Sequence, residues 1–74
     1  MLPSKNDPKW KALVTGEIKV TFNAISGNMI LSRLSKDIKH NSSKENIEKS
    51  IEEAYNFFKK FELIFAKELE AIFK

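Results

Sequence analysis

"TGEIKVTFNAISGN", Thr15 to Asn28, decides the fold because it can be read with two periods. Ile18, Val20 and Phe22 alternate with Lys19, Thr21 and Asn23, the period of two that marks a half-buried strand. Ile18, Phe22, Ile25 and Met29 also line up at the spacing of a helix. A strand must find partners for its backbone donors and acceptors, and nothing else in the 74 residues reads as a strand that could pair with it. Residues 17–39 are therefore expected to be helical, kinked or broken near Gly27, where glycine costs about 1 kcal/mol relative to alanine. The rival reading is a strand that pairs with its own copy in a second subunit or with another protein.

Upstream, Asp7 followed by Pro8 has the form of a helix start, with Asp as cap and Pro at the first helical position. Trp10, Leu13 and Val14 share a face, and Gly16 supplies a stop, so the pattern predicts a short helix over 8–15 anchored by Trp10. Residues 1–6 read as a flexible tail and 7–74 as a single helical domain.

Downstream, Ile30, Leu31, Leu34 and Ile38 form a stripe within "NMILSRLSKDIKH", residues 28–40. It points roughly opposite to the face of Ile18 and Phe22, which places a change of register at Ser26–Asn28. "HNSS" turns the chain. Ser42 and Glu45 have the spacing of a capping box. From there Ile47, Ile51, Ala54, Phe58, Phe61, Phe65, Leu69 and Ile72 recur every three or four residues without Gly or Pro, predicting one helix over about 43–73. At roughly 1.5 Å per residue it would be about 45 Å long. A break near Lys59–Leu63 is the alternative, since helices beyond ~25 residues are uncommon in compact domains.

The composition bounds what such a chain can do. A chain of 74 residues, 42% apolar and 31% charged, is expected to have a core. A core of that size rarely yields more than roughly 3–5 kcal/mol without help. With no cysteine, disulfides and thiolate zinc sites are excluded, which leaves association. No stretch nears the ~18 apolar residues of a membrane span, and "MLPSKNDPKW" does not read as a secretory signal. The expectation is a soluble cytoplasmic protein without cofactor. Net charge is +3, with +4 in residues 1–40 and −1 in 41–74, short of a dedicated nucleic-acid binder.

Motifs for chemistry are sparse. The one histidine, His40, neighbours Ser42 and Ser43 without forming a triad pattern. No His-x-x-x-His or Glu-x-x-His spacing suggests a metal, and no Gly-Lys-Ser/Thr suggests a phosphate loop. Glu48, Glu52 and Glu53 read as a solvated acidic face. The chain is expected to be no enzyme.

Two surfaces stand out instead. Five of the six Phe fall in "FFKKFELIFAKELEAIF", residues 57–73, where the apolar residues cover about half the helix circumference. One packing neighbour needs an arc of only roughly 100°. A protein-binding face is therefore expected from Phe57, Phe61, Ile64, Phe65 and Phe73, with Ile18 and Phe22 as secondary members. The second surface is a basic ridge, Arg33, Lys36, Lys39 and Lys44, able to lie along phosphates. The fold class expected is all-α: a long C-terminal helix antiparallel to 17–39, the 8–15 helix as a lid, and a bundle completed by association. The function expected is a small accessory or assembly subunit, forming a homo-oligomer or joining a larger protein complex. A DNA- or RNA-binding regulator is the alternative.

Overall fold

The computed structural model describes residues 2–74. Among them the fold is all-α, with α1 Pro8–Thr15, α2 Ile25–His40, α3 Lys44–Lys60 and α4 Ala66–Phe73, and no strand. α1 packs on both α2 and α3, and α2 packs on α3. Contacts between α2 and α3 run in antiparallel order, Asp37 with Asn46 and Arg33 with Glu53. α1 is therefore the third wall of the core rather than a lid.

The ends of α1 follow from its sequence. The Asp7 side chain accepts from the Lys9 N–H at 2.9 Å, Pro8 opens the helix, and Gly16 ends it in the left-handed region at φ 84°. Trp10, Leu13 and Val14 are buried. Within the segment 1–6 expected as a flexible tail, Leu2 packs on the core, and the Asp7 N–H donates to the Ser4 carbonyl in a turn. Met1 lies outside the described residues.

The segment 17–24 is not helical; α2 begins only at Ile25. Its alternation is real. Ile18, Val20 and Phe22 turn inward while Lys19, Thr21 and Asn23 are exposed. The missing pairing partner is a side chain. Asn28 accepts from the Phe22 N–H at 2.8 Å and donates to the Phe22 carbonyl at 2.9 Å, so one amide does the work of a neighbouring strand at that residue. The Ile18 N–H donates to the Ala12 carbonyl at 3.1 Å. Gly27 marks no kink. It sits in the first turn of α2, where a Cβ would lie 2.8 Å from the rings of Phe22 and Phe65. Its lack of a side chain is what allows both rings to close on the helix.

The helix expected over 43–73 is broken at 61–65. The longest dimension of the domain is 31 Å, too short for the roughly 45 Å of an unbroken helix. Turning back at this point brings Phe65 onto Phe58 and Phe22, with ring centroids 5.1 Å away in each case. It also brings Phe73 onto Trp10 at 4.7 Å. All eight aromatic side chains join one network through such contacts. The cap of α3 is Ser43, one residue beyond the predicted Ser42: its hydroxyl accepts from the Asn46 N–H at 3.2 Å. Asn46 in turn donates to the Asn41 carbonyl at 2.7 Å and fastens the α2–α3 turn.

Candidate functional site

The residues expected to form one partner-binding face separate into three groups. Phe65 and Phe22 are core, at 0% and 2% exposure, and cannot present a surface. The break after α3 sends Phe65 inward against α2, and the Asn28 clamp holds Phe22 beside it. Phe57, Phe61, Phe73 and Ile18 are half-buried and pack on the core with one side. Phe57 and Phe61 pack with tilted rings, centroids 5.1 Å apart, and the Lys60 ammonium is 5.5 Å from the Phe61 ring. Ile64 stands out, at 60% exposure.

Ile64 has company that the periodicity did not reveal. The other large apolar side chains in solvent are Leu63 at 94%, Ile25 at 71% and Met29 at 64%. Leu63 and Ile64 immediately precede Phe65, while Ile25 and Met29 flank Gly27, and Phe65 rests on Gly27. The 61–65 turn thus lies by the first turn of α2, on the face opposite the one that carries Ile25 and Met29. Ile25 and Met29 are one turn apart on the back of α2, opposite the buried Ile30, Leu31, Leu34 and Ile38. The opposition was legible in the register change. The exposure of Leu63 and Ile64 was not, because it depends on the turn.

The basic ridge is divided. Arg33 donates to the Glu53 carboxylate and lies 3.9 Å from Asp37. The hydrogen bond and charge of Glu53 raise the guanidinium above its ordinary pKa. Lys36, Lys39 and Lys44 are exposed. Lys39 and Lys44 line different depressions, Lys39 beside the extended segment and Lys44 in a cleft with Lys5 and Lys11. The acidic face is likewise partly engaged, Glu52 with Lys5 at 3.3 Å and Glu53 with Arg33. His40 is exposed at the end of α2, and the Ser43 hydroxyl beyond it is the α3 cap. Among the described residues no group of three or more His, Cys, Asp or Glu is placed to hold a metal ion, and no helix is long and apolar enough to cross a membrane.

Among the concavities lined by the described residues, two are of a size that admits a ligand. One, of about 570 Å³, lies between the segment 5–8, α1 and the start of α3, with an apolar floor of Pro8, Ile47 and Ile51 and acids and lysines mixed along its rim. The other, of about 440 Å³, runs between the segment 15–20 and α2. Comparison with known proteins finds no matching family model, no matching curated protein and no matching solved structure.

Proposed function

We propose that this chain is a non-catalytic protein-interaction module, a small accessory or assembly subunit that uses its apolar end. The observation that carries the reading is the exposure of Ile25, Met29, Leu63 and Ile64, near the start of α2 and in the 61–65 turn, on a domain whose aromatic residues are otherwise gathered inside. Large exposed apolar side chains are the surface from which interaction sites on small proteins are built. Burying a side chain of this size stabilises a contact by roughly 1.5–3 kcal/mol before the costs of association. Ile64 is the member that the sequence already singled out. The half-buried Phe57 and Phe61 supply the adjoining rim. A second copy of the chain is the first partner to test.

The experiment is sedimentation of the purified chain over a dilution series, with an apolar dye as second readout. Concentration-dependent association, lost in a Leu63→Asp, Ile64→Asp double variant that keeps its helical spectrum, supports the proposal. A monomer at every concentration that binds no dye contradicts it.

A further inference from the structure

A second surface, lined by other residues than the apolar end, carries a separate reading. The groove of about 440 Å³ beside the extended segment falls within the size range of binding clefts. Leu13 and Leu31 form its floor, and Ile18 and Val20 line its side. Its charged residues are Lys19 and Lys39, and no Asp or Glu lines it, in a chain that has ten. Among the described residues neither lysine has an acidic partner.

The backbone along this groove is unevenly used. In an extended chain, successive residues turn their N–H and C=O groups to opposite edges, so Ile18, Val20 and Phe22 share one edge. Ile18 bonds to Ala12 on that edge, and Phe22 bonds twice to Asn28. Val20 lies between them, and among the described residues its N–H and C=O have no partner in the chain. Among the described residues, one open backbone rung therefore stands in a groove that also has an apolar floor and two lysines without an acidic partner.

We propose that this groove takes an extended, acidic peptide segment of a partner protein. The peptide backbone pairs with Val20, its carbonyl accepting from the Val20 N–H and its N–H donating to the Val20 carbonyl. An apolar side chain rests on Leu13 and Leu31, and flanking carboxylates meet Lys19 and Lys39. Main-chain pairing gives affinity, and the floor and the charges give selectivity. The proposal uses none of the residues of the apolar end, so either reading can fail while the other stands.

The test titrates the ¹⁵N-labelled full chain with an acetylated pentapeptide of alternating Glu and Val. Two controls accompany it: the same peptide N-methylated at its central residue, and single-stranded oligothymidine of equal charge. Amide shifts confined to residues 15–22 and 31–39, with slowed exchange of the Val20 amide, are expected. N-methylation should weaken binding at least about tenfold, as should Lys19→Glu combined with Lys39→Glu. Lys19→Gln with Lys39→Gln serves if charge reversal disturbs folding, and its loss should be in the same direction. No shifts at millimolar peptide, shifts centred elsewhere, equal binding of the N-methylated peptide, or equal binding of oligothymidine through the same amides would each overturn the proposal.

Discussion

Phe65 and Ile64 are consecutive residues with opposite surroundings. Phe65 is sealed between Phe22, Phe58 and Gly27, while Ile64 is 60% exposed beside Leu63. The same contrast holds for the two regions to which they belong. The interior collects aromatic side chains from α1, the extended segment, α3 and the residues after it. The apolar end displays aliphatic side chains from α2 and the 61–65 turn that none of the described residues covers. An unbroken helix would have spread the C-terminal Phe residues along one long rod. Breaking it lets a short chain hide its largest rings and moves the exposed apolar surface from phenylalanine to Leu63, Ile64, Ile25 and Met29. The interior thus accounts for stability, and the proposed association would draw on the end.

Substitutions can break this division of roles. The largest effect is expected at the centre of the interior. Phe58→Ala should cost about 3–5 kcal/mol, as much as a domain of this size has to lose, so the variant should lack a cooperative thermal transition by circular dichroism. A variant that still melts sharply near the parent temperature would mean that the rings do not hold the fold.

Gly27→Ala comes next, and here two effects oppose. Alanine gains about 1 kcal/mol of helix propensity. Its methyl would also press within 2.8 Å of two ring atoms that are themselves packed, and overpacking costs typically about 1–3 kcal/mol. The buried rings have little room to give, so net destabilisation in urea unfolding is expected; a more stable protein would show that Phe65 is not seated on α2. Asn28→Ala removes two hydrogen bonds to Phe22 and should cost about 1–2 kcal/mol. Faster hydrogen exchange at the Phe22 amide identifies that loss as local. The smallest change in stability, within about 0.5 kcal/mol, is expected for Leu63→Asp with Ile64→Asp. A large loss from that pair would move Leu63 and Ile64 into the interior and dissolve the comparison.

Legibility in the sequence followed the range of the interactions. α1 could be read almost to the residue because its cap, its first proline and its terminal glycine are local signals, and so could the buried stripe of α2. The extended segment is not legible from periodicity, because its partner at Phe22 is the side-chain amide of Asn28 and not another backbone. Such a pairing has no period. The break at 61–65 lies in a run without Gly or Pro, and periodicity continues through it; helix length alone pointed to a break near 59–63, and the joint burial of Phe58 and Phe65 sets its place. Of the residues expected on one exposed face, Phe65 and Phe22 are buried, while Leu63, Ile25 and Met29, which were not among them, are exposed.

The central claim is that each chain covers its own phenylalanines by turning back after α3. An isotope-filtered nuclear Overhauser experiment on a mixed sample of labelled and unlabelled chains tests it most directly. The account predicts that the contacts of Phe65 with Phe22 and Gly27, and of Phe73 with Trp10, arise within one chain at every concentration. Their appearance only between chains, with helical amide signatures running unbroken through residues 61–65, would contradict it.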